Sequence, residues 1–317
     1  MRRKRLNRKH DKLLIVIPAL LVTFCASGCA ASHTRVVKPA GAPHPAQTAT
    51  KEELIARFNK QANAITSLNA PVTMTLTAGS AYTGLIKQYH EISGFILAQK
   101  PASVRVIGQV PVVGTNIFDM VSDAETFRIF IPSQHKFIVG PTSLARQSAK
   151  PIENMRPQHL TNAIFWNPIP ERSPVLIEQA NDETARYYVL TVVRMAGAPS
   201  AFSDGSINWE IAKRIWFDRA DLNVARLETY EAGGELGSDV SYSGWTAFGN
   251  ANYPRQIALS RPDSDYKLQI GIKKVTFNET VAPERFVLQQ PPGSELVNAA
   301  EAARKPGPGD TGTNGEK

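Results

Sequence analysis

Residues 71–78 read Pro71-Val72-Thr73-Met74-Thr75-Leu76-Thr77-Ala78, and from Val72 to Thr77 every apolar side chain is followed by a threonine. Successive side chains of a β-strand point to opposite faces, so this stretch predicts a strand with one apolar and one polar face. Just upstream the period is different. Thr50 can cap a helix, Glu53 stands three residues later as in a capping box, and Leu54, Ile55, Phe58, Ala62 and Ile65 follow at helical spacing. A helix thus hands over to a half-buried strand.

Downstream, the period of two recurs. Strands are predicted over about 91–99, 102–109, 115–122, 126–132 and 136–139, with Asp123-Ala124-Glu125 as a hairpin turn. A second series covers about 174–180, 185–194, 207–217, 222–231, 237–245, 253–261 and 265–277. Tight connections at Asn181-Asp182-Glu183 and Gly233-Gly234 predict antiparallel neighbours. One break, at about 142–167, contains SLARQ (143–147) and HLTNAIFW (159–166), both helical in pattern.

The expectation is an all-β-dominated domain: a curved, unclosed antiparallel β-barrel of about 11 strands, with the N-terminal helix and one or two short helices covering its mouth. Its apolar inner face must be filled by its own side chains, by helices or by an apolar ligand. Candidates for that lining are Val72, Met74, Leu76, Phe95, Leu97, Val104, Val106, Phe118, Phe127, Ile129, Phe165 and Trp166. Which alternating set points inward is open at this stage, and ordinary core packing accounts for each residue singly.

The 317 residues divide by composition. Residues 1–28 read as a secretory signal: Arg2, Arg3, Lys4, Arg5, Arg8, Lys9 and Lys12 precede an apolar stretch of 14 residues, Leu13 to Ala26, then Ser27 and Gly28. That stretch is short for a membrane span, which takes roughly 20 apolar residues, and Pro18 interrupts it. Residues 29–50, rich in Ala and Pro, read as a flexible tether. Residues 51–297 form the domain, and 298–317 read as a disordered tail.

Of the formal charge of +8, residues 1–28 hold +6, which leaves +2 for the remainder. A scattered +2 is no footprint for nucleic acid, which needs a basic patch or stripe. Catalytic patterns are missing as well. His33, His44, His90, His135 and His159 have no H-E-x-x-H or Cys/His zinc spacing, and neither a G-x-S-x-G elbow nor a phosphate-binding G-x-x-x-x-G-K-[ST] loop occurs. The expectation is a protein that is not an enzyme and that takes no metal and no cofactor.

Ala26-Ser27-Gly28-Cys29 resembles the lipobox of bacterial lipoproteins. The resemblance implies cleavage before Cys29 and a covalent diacylglycerol and N-acyl lipid on its thiol; Cys25 would be discarded with the signal. Ala30, rather than Asp, after Cys29 resembles the outer-membrane sorting pattern of enteric bacteria. The expected location is the cell envelope, lipid-anchored, on the periplasmic face of the outer membrane. Several acyl chains give stable anchorage where one is marginal.

The domain resembles the LolA/LolB-like lipoprotein carriers. The stretches that carry the resemblance are AITSLNA (64–70), VTMTLTA (72–78), GFILAQKPASVRVIGQVPVVGTNIFDMVSDAETFRIFIP (94–132), LTNAIFWNPIPE (160–171) and YPRQIALSRPDSDYKLQIGIKKVTFN (253–278). It implies an unclosed barrel with an acyl-chain cavity, and a periplasmic carrier protein as a partner. Pro111-Val112-Val113-Gly114 resembles the apolar tip of the family's outer-membrane receptor. Connections facing water are normally polar, so these valines either fold back onto the core or meet a membrane or an acyl chain. Two function classes follow. One is a membrane-anchored binder of lipid or lipoprotein acyl chains, acting in their transfer or localisation. The other is a structural or assembly lipoprotein that docks a protein partner without carrying lipid.

Cys29→Ser is expected to move the protein out of the membrane fraction. Retention through an uncleaved Leu13–Ala26 segment, read by fractionation and intact mass, would overturn the lipoprotein reading.

Overall fold

The computed structural model describes residues 45–79, 86–143, 157–183, 185–197 and 208–302. The signal, Cys29, nearly all of the SLARQ stretch and the tail from 303 on lie outside the described residues. Helix α1, Lys51–Ala64, begins with the expected capping box. Glu53 N donates to Thr50 Oγ1 at 3.2 Å, and Thr50 N donates to Glu53 Oε2 at 2.8 Å. This reciprocal pair satisfies two backbone donors that a helix start leaves orphaned. Leu54, Phe58 and Ala62, spaced four apart, form its buried face.

The chain then runs through β1 (Ser67–Ala78), β2 (Lys87–Gln88), β3 (Ile92–Gln99), β4 (Ser103–Gln109), β5 (Asn116–Ser122), β6 (Thr126–Ile131) and β7 (Lys136–Pro141). Helix α2, Pro157–Ile164, separates these from a second meander. That meander comprises β8 (Val175–Asn181), β9 (Arg186–Met195), β10 (Trp209–Asp218), β11 (Val224–Tyr230), β12 (Leu236–Ser243), a small hairpin of β13 (Thr246–Phe248) and β14 (Ala251–Tyr253), β15 (Gln256–Arg261), β16 (Tyr266–Ile272) and β17 (Thr276–Phe277). Strand β18 (Glu295–Asn298) and a last helical turn, Ala299–Ala302, complete the described chain.

Among the described residues one sheet holds sixteen strands, in the order β18-β7-β6-β5-β4-β3-β1-β16-β15-β12-β11-β10-β9-β8, with β2 and β17 also on β1. Neighbours pair antiparallel except β18 with β7, which are parallel. The two ends do not meet, so the barrel is unclosed. The expected count of about 11 strands falls short because turn residues split long stretches and because β2, β17 and β18 have only two to four residues. Strand β1 lies at the centre and joins the two meanders through its pairing with β16. Its Pro71, which has no N–H for a ladder, falls where the partner changes from β17 at Asn69↔Thr276 to β16 at Val72↔Ile272.

Register decides which side chains face inward. Val72, Met74 and Leu76 share the helix-covered face with Ile96, Val104, Val106, Phe118, Phe127 and Ile129, and the threonines of β1 face out. Phe95 and Leu97 sit on the other face: Phe95 pairs with Ile107 and is 47% exposed, and Leu97 pairs with Arg105. Their inclusion among lining residues is corrected by the parity of β3, in which Ile96 and Ala98 are the inward pair. Asp119 also lies on the outer face, where it accepts two hydrogen bonds from Arg105, at 3.0 and 2.6 Å. Arg105 also donates to the carbonyl of Arg285, 3.0 Å away, and so ties the turn Pro283–Phe286 to the sheet.

Gly94 and Gly108 stand opposite each other on the inner face of β3 and β4. A Cβ on Gly108 would lie 2.4 Å from the Phe118 ring, and one on Gly94 would lie 2.2 Å from the carbonyl oxygen of Ile107 and 2.7 Å from Met74 Cε. The missing side chains leave the room that Met74 and Phe118 occupy. Gly108→Ala overpacks this notch and is expected to cost about 1–3 kcal/mol. For a domain of this size that is a fall in Tm of roughly 2–4 °C per kcal/mol in a thermal melt.

Candidate functional site

Two short helices cover the inner face, and polar side chains fix both in place. Asn59 of α1 grips one backbone unit: Ile169 N donates to Asn59 Oδ1 at 2.7 Å, and Asn59 Nδ2 donates to the Ile169 carbonyl at 2.9 Å. The last carbonyls of α1 are satisfied by the Lys100 ammonium, which donates to Ala62, and by Asn278 Nδ2, which donates to Ala64 at 2.8 Å. Asn278 holds a left-handed φ of 60° and also accepts from Thr66 N. Helix α2 is held in the same way. Tyr242 donates to the carbonyl of Ala163 at 2.9 Å, Tyr253 donates to that of Ile164 at 3.1 Å, and Trp166 Nε1 donates to the Tyr242 hydroxyl at 3.0 Å. These are orphan carbonyls at a helix end.

Aromatic rings continue this scaffold. Phe58 of α1 stacks on Trp166 with centroids 5.1 Å apart and planes within 2°, and Trp166 meets Trp245 edge-on at 6.0 Å. The Lys213 ammonium sits 5.7 Å from the Phe58 centroid and donates to the Asn167 carbonyl at 3.0 Å. Burial holds its pKa below that of an ordinary lysine.

Beside this stack opens a cleft of about 810 Å³, within the size range of small-molecule sites. One wall is α1, with Arg57, Lys60, Gln61 and Ala64. The other walls are Leu222–Val224, the β13–β14 hairpin with Phe248 to Asn252, and Val275–Glu279. Trp166, Phe58 and Phe217 are at its base, with Trp245, Phe248 and Phe277 half-buried along its sides. Gln61 Nε2 donates to the Asn252 carbonyl at 2.8 Å and links helix to hairpin.

The structure places most of the sequence candidates elsewhere. Val72, Met74, Val104, Val106, Phe118, Phe127, Ile129 and Phe165 are buried in the core, with Leu76 packed against it. Of the twelve, Trp166 alone lines the cleft. Sequence reasoning missed the rest of the lining, on α1, at 222–224 and 275–279, and above all in the connection between β12 and β15, where 244–252 carries Trp245 and Phe248 between Gly244 and Gly249, both at positive φ. Two aromatic side chains between two glycines are the signal that could have marked a hairpin there.

The turn after β4 is the second unusual feature. Gly114 N donates to the Val110 carbonyl at 3.0 Å, and Val113 N donates to the Pro111 carbonyl at 2.8 Å. The latter bond closes a γ-turn around Val112 at φ +69°, the rare and strained form. Val112 is fully exposed, Val113 is 74% exposed, and Gly114 has φ +75°. The valines do not fold back onto the core.

Among the described residues no group of three or more His, Cys, Asp or Glu is arranged to hold a metal ion. No helix among them is long and apolar enough to cross a membrane.

No family model and no curated protein matches the sequence. Among solved structures, a DUF1329 family protein from Desulfovibrio piger is similar at 12% identity and a TM-score of 0.47, over 74% of this chain and 94% of that one. A LolA superfamily protein from Nitrosomonas europaea is similar at 12% identity and a TM-score of 0.44, over 76% and 99%. An outer membrane lipoprotein-sorting protein domain from Vibrio parahaemolyticus is similar at 11% identity and a TM-score of 0.43, over 73% and 94%.

Burial pushes the Tyr242 and Tyr253 phenols above their ordinary value of 10. Unfolding therefore releases protons at high pH. Stability held by these groups is complete below about pH 10 and falls as pH rises beyond it. Tyr242→Phe strands the Trp166 N–H and the Ala163 carbonyl, and is expected to cost about 1–3 kcal/mol in a denaturant melt. It should also flatten the alkaline fall.

Proposed function

We propose that this chain is a non-enzymatic, lipid-anchored envelope protein that binds lipid or lipoprotein acyl chains and passes them to or from a membrane. The observation that carries the reading is the Pro111–Gly114 turn. A β-branched residue in the left-handed region costs roughly 1–2 kcal/mol, and two valines in water gain nothing for the monomer. Burying each in an apolar phase recovers about 1.5 kcal/mol or more. The pair together are worth about a hundredfold in partitioning. A turn that bears such a cost on its own has an apolar partner outside the domain. The acyl chains on Cys29 would hold the protein at the surface where that turn acts, and the cleft beside α1 offers an apolar recess to a chain in transit.

A second reading has its own observation. Among the described residues strand β8 ends the sheet and pairs only with β9, with Leu176 66% exposed and Ile177 40% exposed, the kind of edge that can take a strand from a protein partner. That would make the protein an assembly lipoprotein.

The two are separated by the double substitution Val112→Glu, Val113→Glu. Transfer of a fluorescent acyl-chain cargo to liposomes is expected to fall at least tenfold, with Tm unchanged because both side chains are already in water. Unchanged transfer would overturn the carrier reading, and a Tm lower by many degrees would show the valines to be core.

A further inference from the structure

The cleft has a charge pattern as well as an apolar base. Arg57 and Lys60 are three residues apart on α1, hence on one side of the helix, and both are exposed on the same lip. Arg57 Nη2 donates to the backbone carbonyl of Asp221 at 3.1 Å. Neither side chain pairs with a carboxylate among the described residues. Glu279, on the opposite wall, is the one acidic residue of the lining among the described residues, and its Oε2 accepts from Thr276 Oγ1 at 3.2 Å. Below this lip lie Trp245, Phe248, Phe277 and Leu222, half-buried and packed against the core. Two cations at the mouth of an aromatic-sided recess fit a molecule with an anion at one end and an apolar body at the other. A guanidinium and an ammonium supply charge-assisted hydrogen bonds to phosphate oxygens. Beside apolar walls, that attraction is less screened than in open water.

We propose that this cleft binds an anionic phospholipid, with the headgroup phosphate on Arg57 and Lys60 and an acyl chain against Trp245, Phe248 and Phe277. The inference rests on the lipid-binding reading above and adds headgroup selection to it. Charge complementarity commits the site to this occupant. A zwitterionic lipid presents a compensating cation on the same headgroup, and a neutral one leaves both basic groups unmatched. Glu279 opposes a second negative charge and so sets the limit on anion charge.

The full mature chain carrying Cys29→Ser, free of acyl groups of its own, is titrated with lysophosphatidylglycerol and with lysophosphatidylcholine, each brominated on the chain. Quenching of Trp166 and Trp245 fluorescence reads occupancy. The anionic lipid is expected to bind at least about tenfold more tightly, with a preference that shrinks as salt is raised. Arg57→Gln with Lys60→Gln should bring the two lipids to equal affinity, chiefly by weakening the anionic one, with an unchanged Tm showing that the variant is folded. Glu279→Gln should tighten the anionic lipid further. Equal binding of both lipids by the unaltered cleft, or a preference that survives the double substitution, overturns headgroup selection and leaves lipid binding standing. Absence of quenching by either lipid overturns both.

Discussion

Sixteen strands in one sheet present a longer apolar face than one helix of 14 residues and one of eight can cover. The rest of the structure follows from that mismatch. An antiparallel sheet can leave one face to water but not both, so the large apolar cluster gathers on the inner side. Where α1 and α2 lie, the face becomes ordinary core, with Leu54, Phe58, Leu160, Met74, Val106 and Phe118 in one buried cluster. Where they end, the roof passes to single side chains, Trp166 and Ile169, and then to the small β13–β14 hairpin. The cleft opens beside that roof, between α1, the hairpin and the segments at 222–224 and 275–279.

Covering a sheet with short helices also sets a hydrogen-bonding problem. Helices of this length expose many of their carbonyls at the C-terminal end, and burial takes away the water that would satisfy them. Tyr242 of the sheet, Tyr253 of the hairpin, and Lys100 and Asn278 just past strand ends answer it, each reaching a carbonyl near the end of α1 or α2. The roof is therefore pinned at its ends rather than only packed. This fixes the Phe58–Trp166 stack that forms the base of the cleft, and with it the position of Arg57 and Lys60 on the lip. Groups that serve stability in this way also shape the site.

The strained turn at Val112 obeys a different logic. A natural sequence is locally consistent in most places, and an exception persists only where something else holds it. Here the flanking strands β4 and β5 fix the ends of the turn, and the Gln109–Asn116 side-chain hydrogen bond of 2.9 Å closes it below. The rigid base holds an apolar tip away from the domain, in a conformation that glycine would adopt more easily. Together with a cleft some distance along the sheet, it makes a surface with two apolar features of unlike form: one that protrudes and one that recedes.

The sequence alone determined the kinds of element and their order. Period and turn chemistry are local, so the capping box at Thr50, the alternation of β1, the Asp123 turn and the helical pattern at 159–166 could all be read without knowing what lay opposite. It also marked Pro111–Gly114 as anomalous, because an apolar turn breaks a local rule. Only the tertiary structure decided which face was inward, since alternation fixes two sets but register against β1 and β4 chooses between them. That is why Phe95 and Leu97 fell on the outer side. The cleft was equally beyond local reading. Its walls come from α1, from the loop before β11, from the β13–β14 hairpin and from β17, segments spread over more than 200 residues of chain. No pattern along the chain encodes the length of a roof against the width of the sheet beneath it.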